Sequence, residues 1–280
     1  MDLLLRARNL LHLHKVFPKK RLGQNFVIDR TLLQKIISYA SVNRKDTVLE
    51  VGAGLGFLTK LLSPTCKRVI AVEVDPKLTR ILRNELSDLK NVDLIEGDVL
   101  NVSVPQFNKV VSTPPYSISS PLLFWLLENR FDRAVLTFQK EFAERLTAPV
   151  GSKDYGRLTI GTYYRAEAEL LDHVPRSMFY PPPDVDSMVV RLKPREEPPF
   201  SVEDEEAFFE LVQTMFTQRN KKVRNAIVPF LRRRMVKADT ARLADSLLFH
   251  DKRVRELAPE DFGALTNEIA RVLSPKKSWR

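Results

Sequence analysis

The chain has 280 residues, 44% of them hydrophobic, enough for one large domain or a large and a small one and too many for a disordered chain. A single cysteine excludes a disulfide scaffold and a cysteine-based zinc site and fits a reducing cytoplasm; no apolar run approaches the ~20 residues of a membrane span. Of the net charge of +10, residues 1–22 contribute +5 and residues 219–237 contribute +8, which leaves the rest of the chain at −3.

The first basic segment holds Arg6, Arg8, Lys15, Lys19, Lys20 and Arg21, and its stretch Leu3–Leu5 is too short for a signal-peptide core. Acid-poor, arginine-containing starts also occur in organelle transit peptides, so that alternative stands beside a polyanion-binding surface. Short apolar runs then predict strands at Thr47–Val51, Arg68–Val74, Val92–Ile95, Lys109–Ser112 and Arg133–Phe138. Helical stretches lie between them at Thr59–Leu62, Lys77–Leu86 and Pro121–Leu127, and Asp75-Pro76 is a good helix start. Strands alternating with helices imply a parallel sheet covered on both faces. Ala166–His173 and Ser187–Leu192 read as two further strands that pair antiparallel at the sheet edge. Pro194–Phe200 reads as a linker, after which Phe208, Phe209, Leu211, Val212, Met215 and Phe216 recur at helical spacing as the core of a small helical domain. The expected domains are therefore 1–195 and 200–280.

Only nine glycines occur, and three of them fall in Glu50-Val51-Gly52-Ala53-Gly54-Leu55-Gly56, between a predicted strand and a helix. Glycines there let the backbone turn tightly and approach a bound cofactor. The spacing departs from the GxGxxG of dinucleotide sites, since Phe57 stands where the last glycine belongs, and no Lys-Ser or Lys-Thr follows to make a phosphate-binding P-loop. Glu73 ends the second strand and can accept ribose hydroxyls; Asp98 follows the third and can accept from an adenine amino group. Two acids at successive strand ends fit a nucleoside without phosphates, such as S-adenosylmethionine, better than a pyrophosphate. Either acid alone reads equally well as a helix cap.

A second motif, Ser112-Thr113-Pro114-Pro115-Tyr116, follows the fourth strand. With it the chain resembles the ribosomal RNA adenine dimethyltransferase family, which transfers methyl groups from S-adenosylmethionine to N6 of adenosines in small-subunit rRNA. Six segments carry the likeness in order: Lys20–Phe26, Glu50–Gly56 with Glu73 and Asp98, Thr113–Pro121, Phe179–Pro183, Val185–Ser187, and Phe216–Lys222 with Arg224-Asn225. The resemblance implies a Rossmann-like class I methyltransferase α/β domain, with a mostly parallel seven-stranded sheet, and a small C-terminal all-helical domain. It implies Gln24, Asn25, Val27, Gly52, Gly54, Glu73, Val74, Asp98, Val99 and Thr113 as cofactor contacts, with Thr113, Pro114, Tyr116 and Phe179 at the reacting base. Lys20, Arg21, Arg219, Lys221, Lys222 and Arg224 are expected to bind RNA, with Arg232–Arg234 continuing that basic face on a helix and its extension. No metal is expected, the chain is expected to act as a cytoplasmic monomer on small-subunit rRNA or its precursor particle, and the match at Lys19–Phe26 weakens the transit-peptide alternative.

The chemistry suits that loop. The lone pair of an exocyclic adenine nitrogen is conjugated into the ring, so acceptors aimed at its two N–H groups favour the more tetrahedral, nucleophilic form. A stiff Pro-Pro backbone offers the Pro114 carbonyl, and the preceding residue offers the other acceptor. Tyr116 can stack on a flipped or unpaired base, and Phe179 can cover the opposite face. The family pattern usually has Asn where this chain has Thr113, a shorter hydroxyl that both accepts and donates. Three functions stay open at this point: the rRNA adenine N6-dimethyltransferase, an RNA-binding assembly factor with weak or absent transfer because of Thr113, and a related methyltransferase with another substrate.

Overall fold

Asp2 accepts the Leu4 and Leu5 N–H groups and so starts α1 (Leu3–Leu13), whose Ala7, Leu10 and Leu11 are buried. The computed structural model describes residues 2–235 and 239–273, in two units: Met1–Glu144 with Ala166–Pro194, and Arg145–Arg165 with Arg195–Arg280. In the first unit α1 is followed by β1 (Phe26–Val27), α2 (Arg30–Ala40), β2 (Thr47–Val51), α3 (Phe57–Leu62), β3 (Arg68–Glu73), α4 (Pro76–Glu85), β4 (Val92–Glu96) and β5 (Lys109–Ser112). It continues with α5 (Ser119–Glu128), β6 (Arg133–Gln139), α6 (Lys140–Glu144), β7 (Ala166–Val174), β8 (Phe179–Tyr180) and β9 (Ser187–Pro194).

Seven strands form one sheet in the order β4-β3-β2-β5-β6-β9-β7. The first five are parallel; β9 runs antiparallel to both β6 and β7, as the two late apolar runs imply. Val48, Leu49, Val69, Ile70, Val110, Val111 and Val135 are fully buried, the pattern of strands covered on both faces. Strand order reverses between β2 and β5. In an open parallel sheet the carboxyl ends of strands flanking such a reversal leave a crevice for ligand. The glycine loop follows β2 and the Thr113–Tyr116 loop follows β5, so topology alone brings the two sequence motifs to one crevice.

The second unit is helical: α7 (Arg157–Arg165), α8 (Glu205–Phe216), α9 (Val223–Ala226), α10 (Val228–Leu231), α11 (Thr240–Ser246) and α12 (Pro259–Leu273). Asp204 caps α8 by accepting the Ala207 N–H, and Phe208, Leu211, Val212 and Met215 are buried with Phe262, Leu265 and Ile269. Its boundary differs from the expected 1–195 and 200–280, because residues 145–165 belong to this unit. Tyr155 and Tyr164 explain the difference: both are buried in the helical core, where the Tyr155 hydroxyl donates to the Leu257 carbonyl and the Tyr164 ring lies 5.0 Å from that of Phe208. Residues 236–238 and 274–280 of the expected domain lie outside the described residues.

Candidate active site

The β2 ladder ends where the Gly52 N–H donates to the Val72 carbonyl at 2.8 Å. Gly52 has φ +75°, and a Cβ there would stand 2.8 Å from Pro115 Cδ, so only glycine lets the two loops meet. Gly54 has φ +59° and would press a Cβ to 3.0 Å from the Phe26 ring. Its N–H donates to Glu73 Oε2 at 2.9 Å, while Glu73 Oε1 accepts the Asp75 N–H at 2.9 Å. Burial pushes the Glu73 carboxyl up, and the N–H groups of Asp75 and Gly54 oppose it. Each oxygen keeps a lone pair for a further donor.

Gly52, Gly54 and Glu73 wall a cleft with Leu22–Val27, Leu33, Ala53, Leu55, Phe57, Leu58, Val74, Leu78, Thr113 and Pro115. Among the described residues no Lys, Arg or His lines it, and its ionisable wall residues are Glu50 and Glu73. A pyrophosphate would meet two acids and no cation here. A nucleoside carrying a positive sulfonium meets apolar walls, carboxyl acceptors and no cation, so the wall fits S-adenosylmethionine. Glu50 is buried and accepts the Thr59 hydroxyl at 2.7 Å; burial pushes its pKa up to about 8.

The lip of the cleft is fastened from the N-terminal side. Gln24 accepts the Lys19 N–H at 2.8 Å and donates to Asp75 at 2.9 Å, and the Lys19 ammonium reaches the same carboxylate at 2.8 Å. Burial pushes the Asp75 carboxyl up, but Lys19 and Gln24 outweigh it and hold the group below the usual carboxylate range. The β1 strand pairs antiparallel with β8, Phe26 opposite Tyr180 and Val27 opposite Phe179, which joins the Gln24–Val27 motif to the Phe179 motif.

On the β5 side the buried Ser112 hydroxyl donates to the Val51 carbonyl and ties the two strand ends together. Thr113 lines the cleft, whereas Pro114 is buried and does not. The Tyr116 hydroxyl is hydrogen-bonded to that of Ser187, and burial pushes its pKa up to about 12. Phe179 is buried edge-on to Tyr116, ring centroids 6.4 Å apart. A second groove beside this loop is lined by Lys20, Asn25, Tyr116, Gln139 and Pro181–Asp184.

Eight of the sequence-derived cofactor residues therefore border one cleft: Gln24, Asn25, Val27, Gly52, Gly54, Glu73, Val74 and Thr113. Asp98 and Val99 do not line it. Asp98 caps its own turn, accepting the Leu100 N–H at 3.1 Å and the Asn101 amide at 2.9 Å, and Val99 is buried. Phe179 lines neither the cleft nor the groove. Lys19 and Asp75 are not among the expected site residues, and Glu50 enters only as the first residue of the Glu50–Gly56 motif. The signal for Glu50 was a lone acid in the otherwise apolar run Thr47–Val51; Asp75 read only as a helix cap.

The basic segments are partly neutralised. In the first unit Lys20 and Arg21 are exposed with no side-chain partner among the described residues, whereas Arg6 pairs with Glu85 and Lys19 with Asp75. In the second unit the expected helical extension is absent. Helix α8 stops at Phe216, the Thr217 hydroxyl turns back to the Thr214 carbonyl, and the chain leaves the helix before the basic run begins. The Arg219 guanidinium donates to the Ser152 and Lys153 carbonyls. Lys222 and Arg224 pair with Asp251 at 2.8 and 3.3 Å, and Arg233 and Arg234 with Glu210. Lys221 is exposed with no side-chain partner among the described residues. Lys237 lies outside those residues.

The sequence model of the family described as ribosomal RNA adenine dimethylase matches residues 17–270. A probable ribosomal RNA small subunit methyltransferase A from Methanosarcina acetivorans is 44% identical over 249 residues, 88% of this chain and 91% of that protein. The ribosomal RNA small subunit methyltransferase A of a Geobacillus species is 38% identical over 282 residues, 96% of this chain and 97% of its own. Among solved structures, a dimethyladenosine transferase from Plasmodium falciparum is 30% identical with a TM-score of 0.78, over 88% of this chain and 98% of that one. The 23S rRNA methyltransferase ErmE is 29% identical with a TM-score of 0.66, over 88% and 100%. With a match over that span and a crevice built from the same motifs, the chain belongs to the ribosomal RNA adenine dimethylase family.

Proposed function

We propose that the chain transfers methyl groups from S-adenosylmethionine to N6 of adenosines in small-subunit ribosomal RNA, dimethylating two adjacent adenosines during subunit assembly. The observation that carries this reading is the crevice between β2 and β5, where an acid-only cofactor wall adjoins the Thr113–Tyr116 loop. Relatives named for the small subunit reach 45% identity, against 29% for the 23S enzyme, which favours the small subunit as source of the target. The monomeric state rests on family resemblance, and a cytoplasmic place of action on the single buried thiol, Cys66.

S-adenosylmethionine, when bound, supplies an electrophilic methyl group on a sulfonium. Glu73 holds the ribose hydroxyls with the lone pairs that Gly54 and Asp75 leave free, and Gly52 and Gly54 let the backbone lie against the cofactor. Gln24, Asn25, Val27 and Val74 close the wall. At the acceptor base, the Thr113 hydroxyl and the Pro114 carbonyl take the two N6 hydrogens, Tyr116 stacks on the ring, and Phe179 backs Tyr116 edge-on. Thr113 hydrogen-bonds no described residue through its side chain, so its hydroxyl is available for this role. Lys20 and Arg21 in the first unit and Arg219, Lys221, Lys222 and Arg224 in the second each meet RNA phosphates, Lys222 and Arg224 by exchanging Asp251 for phosphate.

Mass spectrometry of small-subunit RNA from cells with and without the gene tests the reading. Dimethyladenosine lost only in the deletion supports it. Unchanged modification with defective subunits would make the chain an assembly factor instead.

A further inference from the structure

Gln139 ends β6, and its partner across the ladder is Ser187 of β9. Residues directly opposite in an antiparallel pair share a face, with Cβ atoms about 4.5–5.5 Å apart. The Gln139 side chain therefore leaves the sheet on the side of the Ser187 hydroxyl, which is bonded to Tyr116. Gln139 and Tyr116 line the same groove. The Lys140 N–H donates to the Asp186 carbonyl at 3.0 Å, which fixes the backbone beside Gln139. Its carboxamide is half-buried, yet it hydrogen-bonds no described residue.

A carboxamide carries two donors and an acceptor and matches the edges of adenine. On adenine the amino nitrogen is flanked by N1 and N7, both acceptors. Guanine shares the N7 acceptor but offers an N–H at N1 and a carbonyl at C6, so a donor aimed at N1 rejects guanine whereas one aimed at N7 reads a purine. We infer that Gln139 is a specificity-determining residue whose amide donates to one of the two ring nitrogens beside N6 of the target adenine. This rests on the groove being the adenosine site. It adds a base-reading contact to a loop that otherwise holds only the amino group and the ring face.

The test is a cycle of Gln139→Leu against base analogues. The substrate is small-subunit RNA assembled with a synthetic segment carrying adenine, 1-deazaadenine or 7-deazaadenine at the target, and methyl transfer is read as kcat/KM. Wild type loses roughly tenfold on one of the two analogues, as expected for one hydrogen bond in a closed pocket. Gln139→Leu loses a similar factor on adenine and nothing further on that analogue. Gln139→Glu, which keeps the shape but has no donor, falls like Gln139→Leu. An equal loss for Gln139→Leu on all three bases, or no loss on adenine, overturns the role of Gln139 while leaving the enzyme's activity standing. A wild-type chain that leaves natural adenine unmethylated removes the parent reading and this inference with it.

Discussion

The hydroxyl of Tyr116 is hydrogen-bonded to that of Ser187, 71 residues further along the chain. One residue sits in the loop after β5 and the other opens β9, so the antiparallel edge strand fixes a ring at the mouth of the parallel sheet. Tyr116→Phe and Ser187→Ala are each expected to slow methyl transfer by about two- to tenfold, the value of one hydrogen bond. The double variant should be no slower than either alone, because both remove the same contact. Tyr116→Ala, which also removes stacking, should lose about 1–3 kcal/mol more in single-turnover assays. Additive losses in Tyr116→Phe/Ser187→Ala would show that the hydroxyl pair does not act as a unit.

Glu73 is the point where cofactor affinity is most exposed to mutation. Glu73→Ala removes an acceptor that also anchors Gly54 and Asp75. Loss of two ribose hydrogen bonds, at about 0.5–1.5 kcal/mol each, predicts S-adenosylhomocysteine binding weakened by roughly tenfold or more in calorimetry. Glu73→Gln keeps the shape and should fall between. Wild-type affinity in Glu73→Ala would place the ribose elsewhere.

Glu50 predicts a pH dependence of stability. In the folded chain burial pushes its pKa to about 8, against 4.5 for the free group. The folded state therefore holds a proton that the unfolded state has released across this window, so stability is full below it, declines as pH rises through it, and levels off above it. Glu50→Gln keeps an acceptor for Thr59 and abolishes this titration. Its stability relative to wild type in urea unfolding should rise from about pH 5 to about pH 8 and then stay constant. A difference that stays flat across the window would contradict a buried, neutral Glu50.

Strand limits at Thr47–Val51 and Lys109–Ser112 follow directly from apolar runs, and the two loops that make the crevice are legible because glycine and proline have narrow backbone uses. Helices α1 and α2 are less legible: α1 lies in a segment whose basic residues draw the eye to charge, while its Ala7, Leu10 and Leu11 are core. The placement of residues 145–165 depends on which core Tyr155 and Tyr164 reach, a long-range property that local patterning does not encode. The same holds for the Lys19–Gln24–Asp75 clamp, since nothing local in the sequence joins residues 51 positions apart. Charge is the weakest guide. Residues 219–237 read as one cationic face, but Asp251 and Glu210 return from distant positions to pair four of its members.

That neutralisation makes an ordered prediction for RNA binding. Lys20, Arg21 and Lys221, without a side-chain partner among the described residues, can release counterions from RNA directly, whereas Lys222 and Arg224 must first leave Asp251. Alanine at Lys221 should flatten the salt dependence of RNA affinity by nearly one counterion, in fluorescence anisotropy across a salt series. Alanine at Lys222 should flatten it less, and Asp251→Asn should tighten binding. Equal slopes for all variants would remove these side chains from the RNA footprint.

The most direct measurement is methyl transfer by the purified chain to unmodified small-subunit RNA, or its precursor particle, with labelled S-adenosylmethionine. Nucleoside mass spectrometry should then find N6,N6-dimethyladenosine, with Thr113→Asn active and Thr113→Val strongly impaired. Label absent from adenosine, or Thr113→Val as active as wild type, would contradict transfer at the Thr113–Tyr116 loop.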